Sequence, residues 1–217
     1  MKQIIFLASG GGGNMKFFHQ AILNGIISDV RLSVIADREC GSIEYATRHG
    51  IDNHIVSYSR AAPGELVALL EDMKSDVIVT NWHKIIDEST VRQYSGRLVN
   101  LHYSLLPAFA GLIGVEPIKL AYEQGCKFIG PTCHLVNEGV DTGKILAQAI
   151  FTTERPIDEA ISLMLRKGCL VLLSGIQNVL HENLVTGVGL SNESYSPKLT
   201  FDEGIFDEKF WEKVALA

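Results

Sequence analysis

The chain has no pair of cysteines at C-x-x-C spacing, no long hydrophobic run and no excess of positive charge. Each absence excludes something. Its four cysteines, Cys40, Cys126, Cys133 and Cys169, are widely spaced with no histidine interleaved at zinc spacing. No metal is therefore expected, and free thiols in a reducing compartment are. The apolar run after Lys2 breaks at Ser9-Gly10, too short for a signal-peptide core or a membrane span. A cytoplasmic location with no membrane partner follows as an expectation. Asn192-Glu193-Ser194 matches a glycosylation sequon, but that pattern is common by chance and does not suit the compartment. The formal net charge of -6 gives no sign of the basic face that long nucleic acids require, so no nucleic-acid partner is expected. There is no internal repeat and no low-complexity segment. What is present is an ordinary globular mixture, 217 residues with 47% hydrophobic and 20% charged, enough for one substantial core.

Short apolar runs alternate with helical patterns. Ile4 to Ala8, Leu32 to Ala36, Asn53 to Val56, Val77 to Thr80, Leu98 to His102, Thr132 to Val136 and Lys144 to Phe151 read as strands. Met15 to Asn24, Glu44 to His49, Pro63 to Met73 and Pro117 to Gln124 read as helices. Ile157 to Asn183 is a long helical stretch with possible breaks at Gly168 or Gly175. The alternation predicts an α/β fold: a doubly wound, mostly parallel sheet with helices on both faces. Residues 1–184 are expected to form the catalytic domain and residues 185–217 a loop-rich tail, marked by Gly187, Gly189, Ser191, Asn192 and Pro197. Phe206, Phe210 and Trp211 in that tail are expected to pack on the domain or on a partner subunit, because large aromatics are rarely left in water.

Two stretches carry the chemistry. In Val99-Asn100-Leu101-His102-Tyr103-Ser104-Leu105-Leu106-Pro107, strand alternation turns Asn100 and His102 to one face. An amide donor and a titratable imidazole thus share the end of a strand. Gly139-Val140-Asp141-Thr142-Gly143 then presents a carboxylate in a glycine-flanked loop. Asn, His and Asp together can stabilise an oxyanion and move a proton, as acyl transfer requires. Upstream, Ser9 to Asn14 is a glycine-rich turn between a strand and a helix start, where free backbone N–H groups and the helix dipole favour an anion. It lacks the third glycine of a dinucleotide fingerprint and the Gly-Lys-Ser/Thr of a Walker loop, and a plain tight turn is the alternative.

Asn-x-His-x-Ser-Leu-Leu-Pro, with an Asp-x-Gly about forty residues later, resembles the folate-dependent formyltransferase family over most of residues 1–155. The resemblance implies Asn100, His102 and Asp141 as catalytic residues and 10-formyltetrahydrofolate as cosubstrate. It implies a folate pocket lined by Trp82, His83, Lys84, Ile85, Ile86 and Val140, with His134 beside the pocket or behind the catalytic groups. It also implies that Gly11, Gly12, Gly13 and Asn14 hold the phosphate of an acceptor. The implied reaction moves a formyl group to a primary amine of a small phosphorylated acceptor, glycinamide ribonucleotide being the first candidate. A homodimer is expected on family grounds alone.

The match is a mosaic. Ala110-Gly111-Leu112-Ile113-Gly114 lacks the polar run that glycinamide ribonucleotide transformylases usually carry there. Leu106 to Val136 resembles the formyltetrahydrofolate hydrolases, whose regulatory N-terminal domain is not expected before the first strand here. Gly139 to Gly143 resembles the methionyl-tRNA and sugar formyltransferases, which usually add a C-terminal domain. Hydrolysis of 10-formyltetrahydrofolate, and formylation of a nucleotide-linked amino sugar or another small amine, therefore stand as alternatives. The glycine loop favours the phosphorylated acceptor, since water as acceptor needs no anion site.

Overall fold

Every residue from Ile4 to Ala8 is apolar, which a strand tolerates when both its faces are covered. The computed structural model, which describes residues 1–185 and 194–216, places that run in β1 (Lys2–Ala8). There follow α1 (Gly13–Leu23), β2 (Val30–Ala36), α2 (Gly41–Arg48), β3 (Asp52–Ile55), α3 (Gly64–Asp72), β4 (Val77–Asn81), α4 (Glu88–Gln93) and β5 (Leu98–His102). The second half contains α5 (Glu116–Glu123), β6 (Phe128–Ile129), β7 (Thr132–Leu135), β8 (Ile145–Ala149), β9 (Phe151–Thr152), α6 (Ile157–Leu180), β10 (Tyr195–Ser196) and α7 (Glu208–Leu216).

The main sheet runs β10-β8-β7-β5-β4-β1-β2-β3. From β3 to β5 all pairings are parallel. Beyond β5 they are antiparallel. The expectation of a mostly parallel sheet with helices on both faces holds. Side chains of α1, α2, α6 and α7 share one core layer with Ile4, Phe6, Val34, Val77 and Val79. Leu66 and Leu70 of α3 and Val91 of α4 cover the other face over Ile5, Leu7, Ile35 and Ile78. Strand order turns at β1, whose neighbours are β2 and β4, so the loops leaving the carboxyl ends of β1 and β4 diverge and open a crevice.

Several details differ from the sequence reading. First, α6 runs unbroken through Gly168 and Gly175. A Cβ at Gly175 would collide with the Sγ of Cys133 on β7, so this glycine serves close packing rather than a break. Gly168 to Gln177 are all buried, a helix enclosed on every side by the sheet and other helices. Second, Lys144 to Phe151 is two strands: β8 pairs with β7 and β10, while β9 pairs with β6. Third, the tail is not all loop. Its α7 stacks on α1, with Phe206, Phe210 and Trp211 at ring-centroid distances of 5.2, 5.6 and 5.6 Å from Phe17. The aromatics thus pack on their own domain. The short α4, not read from the sequence, is capped by Asp87, which accepts from the backbone N–H of Thr90 at 2.9 Å. Gly187, Gly189, Ser191 and the Asn192-Glu193 of the sequon lie outside the described residues. Among the described residues, no helix is long and apolar enough to cross a membrane. The four cysteines are free, two of them buried and two half-buried.

Candidate active site

Alternation along β5 sends Val99 into one core layer and Leu98, Asn100 and His102 to the opposite face. Antiparallel pairing then sets Asn100 directly across from His134 of β7, and His102 across from Thr132. The loop between β7 and β8 returns Asp141 to the same place, with φ of 54°. Asp141 joins both imidazoles: its Oδ2 is 3.3 Å from His102 Nδ1, and its Oδ1 is 3.5 Å from His134 Nε2. His134 Nε2 makes no well-aligned hydrogen bond, so that second contact is a close approach of the two polar atoms. The Gly111 N–H donates to Asp141 Oδ2 at 2.8 Å.

His102 is 6% exposed, and its other nitrogen, Nε2, lies 3.1 Å from the Phe109 carbonyl. Both ring nitrogens face oxygen acceptors, an arrangement that only the doubly protonated ring satisfies fully. Burial nevertheless pushes the His102 imidazole below its ordinary value, while Asp141 and the Phe109 carbonyl pull it up. Burial acts to raise the Asp141 carboxyl, but the contact with His134, the Gly111 N–H and the His102 charge together hold it below the usual carboxylate range. The pair is therefore a carboxylate held below the usual range next to an imidazole that burial lowers and the carboxylate lifts. Asn100 donates from Nδ2 to the Thr80 carbonyl at 2.6 Å and to Thr80 Oγ1 at 3.0 Å. Its Oδ1 has no partner among the described residues.

These groups floor a cleft of about 420 Å³. One wall is the glycine-rich loop Gly10 to Asn14 and the other is Trp82 to Ile85, with Ile113 and Val140 at the rim. Gly12 takes a left-handed φ of 72° and precedes α1, whose first turn has no side-chain cap. The N–H groups of that turn thus lack a side-chain partner at the end of the helix that borders the cleft. Gly11, Gly12, Gly13 and Asn14 all line the cleft, but Asn14 is 7% exposed and its Oδ1 accepts from the Cys169 thiol at 3.4 Å. Of the residues implied for a folate pocket, Trp82, His83, Lys84, Ile85 and Val140 line the cleft. Ile86 is buried in the core beneath it, and His134 stands behind Asp141 rather than on the wall. Lys84 is committed elsewhere: its Nζ is 3.4 Å from Asp37 Oδ2 and donates to the Tyr58 carbonyl at 3.0 Å. Sequence reasoning missed Thr80, the Phe109 carbonyl and the Gly111 amide. The last two are backbone groups, and no side-chain pattern announces them. Among the described residues, no cluster of three His, Cys, Asp or Glu side chains is arranged to hold a metal ion.

Fold and site together define an α/β protein with an acid–base cluster and an uncapped helix start sharing one crevice at the carboxyl edge of its sheet. The chain belongs to the formyl transferase family, whose model matches residues 2–162. The chloroplastic phosphoribosylglycinamide formyltransferase of Arabidopsis thaliana is 36% identical over 158 residues, 68% of this chain and 54% of that protein. The formyltetrahydrofolate deformylase of Bacillus subtilis is 34% identical over 124 residues, 55% of this chain and 40% of that protein. Among solved structures, phosphoribosylglycinamide formyltransferase from Bacillus halodurans superposes with a TM-score of 0.74 at 28% identity, covering 86% of this chain and 100% of that one. The chain spans about half the length of the curated relatives it matches first, 54% and 51%.

Proposed function

We propose that the chain transfers a formyl group from 10-formyltetrahydrofolate to the primary amine of a small phosphorylated acceptor, glycinamide ribonucleotide being the first candidate. One observation carries this reading. The Asn100, His102 and Asp141 cluster lies between a loop of free backbone N–H groups and a largely apolar wall, in a cleft large enough for two ligands' reacting ends. The apolar and aromatic lining of Trp82, Ile85, Ile113 and Val140 suits a flat heteroaromatic ring. The N–H groups at Gly11 to Asn14 suit a phosphate. On this reading residues 1–184 carry the catalytic domain and residues 185–217 form its tail.

The folate supplies an activated formyl carbon, and the amine forms the new C–N bond there. His102 turns its Nε2–H from the Phe109 carbonyl to the developing oxyanion, a donor worth about 3 kcal/mol in the transition state. Asp141 holds the imidazolium by its negative charge and directs the ring through Nδ1. Asn100, fixed by Thr80, offers its free Oδ1 to an N–H of the incoming amine. The proton that the amine loses reaches the departing folate nitrogen through the His102 and Asp141 pair.

The similarity to a deformylase favours a second reading, hydrolysis of 10-formyltetrahydrofolate with water as acceptor. Tetrahydrofolate release, followed by absorbance with and without glycinamide ribonucleotide, separates the two. Turnover that needs the amine supports transfer. Formate release without any amine supports hydrolysis and removes the phosphate role of the glycine loop.

A further inference from the structure

The two walls of the cleft come from separate loops, one after β1 and one after β4, yet both are tied to the short connection between β2 and α2. At one end of that connection stands Asp37, its side chain 2% exposed. Its Oδ1 accepts from Ser9 Oγ at 3.0 Å, just before the glycine-rich loop. Ser9 Oγ in turn accepts from the backbone N–H of His83 at 3.3 Å. Asp37 Oδ2 also faces Lys84 Nζ at 3.4 Å. His83 and Lys84 belong to the opposite wall, so a single carboxylate reaches both.

At the other end stands Ser42 in the first turn of α2, fully buried. Its N–H and its hydroxyl both donate to the Gly10 carbonyl, at 2.9 and 2.6 Å. A carbonyl so held cannot turn into the cleft, where it would repel an anion. Ser42 also presses on the loop: a Cβ added to Gly12 would lie 2.5 Å from its Oγ. Ser42 touches the glycine-rich loop and makes no hydrogen bond to the Trp82–Ile86 wall, whereas Asp37 serves both.

We propose that the β2–α2 connection is a shared brace, in which Ser42 positions the glycine-rich loop alone and Asp37 positions both walls, making the sites for a phosphate-bearing acceptor and for a folate depend on one carboxylate. The assignment rests on the functional reading given to the two loops above. Ser42 also lines the cleft beside Gly12, but its hydroxyl and N–H are both committed to the Gly10 carbonyl, so both residues act through the loops they hold.

The test is calorimetric titration of the full chain with ribose 5-phosphate and, separately, with tetrahydrofolate. Ser42→Ala is expected to weaken ribose 5-phosphate about tenfold and to leave tetrahydrofolate within about twofold. Asp37→Ala is expected to weaken both about tenfold. Asp37→Asn keeps an oxygen for Ser9 but loses the charge facing Lys84, so its loss falls more heavily on tetrahydrofolate. Arg38→Gln removes the nearest ionic partner of Asp37, at 2.6 Å, without touching either wall, and both affinities are expected to stand. Equal losses for both ligands in Ser42→Ala and Asp37→Ala, or no loss in either, overturn the brace while leaving the functional reading intact. Failure of the unmodified chain to bind either ligand overturns the functional reading, and the brace with it. Should Asp37→Ala prove unfolded by circular dichroism, the near-isosteric Asp37→Asn decides by its selectivity between the ligands.

Discussion

The two halves of the sheet present chemistry in different ways. In the parallel half, β3 to β5, every strand ends at the same edge and hands its chain to a loop or helix start. That edge gathers backbone: the free amides at Gly11 to Asn14 and the helix starts at Gly13 and Gly41. In the antiparallel half, β5 faces β7 residue to residue, and the edge gathers side chains. Asn100 stands opposite His134, and Asp141 links His134 to His102. A parallel arrangement aligns helix dipoles on one side, while an antiparallel pair brings titratable groups within reach of one another. The crevice at this edge therefore has a wall of backbone amides that suits an anion and a floor of titratable side chains.

Breaking the side-chain half has the largest expected effect. His102→Ala is expected to lower kcat/KM by about 10³-fold with little loss of stability, measured by steady-state kinetics alongside urea unfolding. An unchanged rate would remove the histidine from the chemistry. Asp141→Asn comes next, at about 10²-fold. It removes the charge that lifts the His102 pKa, so the limb of the pH–rate profile that reports this imidazole is expected to move to lower pH. A limb that stays in place would show that Asp141 does not act through His102. In the parallel half the expected loss is smaller and selective. Gly12→Ala forces a left-handed φ of 72° and a contact with Ser42, and is expected to raise the acceptor KM about tenfold while sparing the folate KM. Equal damage to both would mean that the two halves of the crevice do not divide the ligands.

The smallest effect concerns stability and pH. The folded His102 imidazole lies below its ordinary value of 6.5, so the unfolded chain binds the proton more readily. Stability should fall as pH drops below about 6.5 and level off below the folded pKa. His102→Gln should flatten that part of a plot of unfolding free energy against pH, read by urea denaturation.

Most of the parallel half can be read along the sequence. Ile4 to Ala8 is apolar at every position and Val77 to Thr80 at all but its last, both are bounded by turn residues, and such runs have few alternatives to a buried strand. Asn100 and His102 could be placed on one face because strand alternation is local. The antiparallel half is harder, since its pairings depend on distant partners. Nothing near Lys144 tells that its apolar run divides between two sheets at Ile150. Gly175 reads as a helix breaker until Cys133 is seen against it. Lys84 reads as a cleft cation until Asp37 and Tyr58 are seen to hold it.

By itself the sequence determined most of the strands and helices of the parallel half, that the sheet is mostly parallel, and that Asn100, His102 and Asp141 are candidates for one chemistry. Those features follow from periodicity, turn residues and side-chain type, all of which act over a few neighbouring residues. Only the tertiary structure decided that His134 stands behind Asp141, that the Phe109 carbonyl and Gly111 amide complete the cluster, and that Asp37 joins both walls of the cleft. These depend on strand register and on backbone groups brought together from far along the chain, where a shift of one residue would turn every side chain to the wrong face.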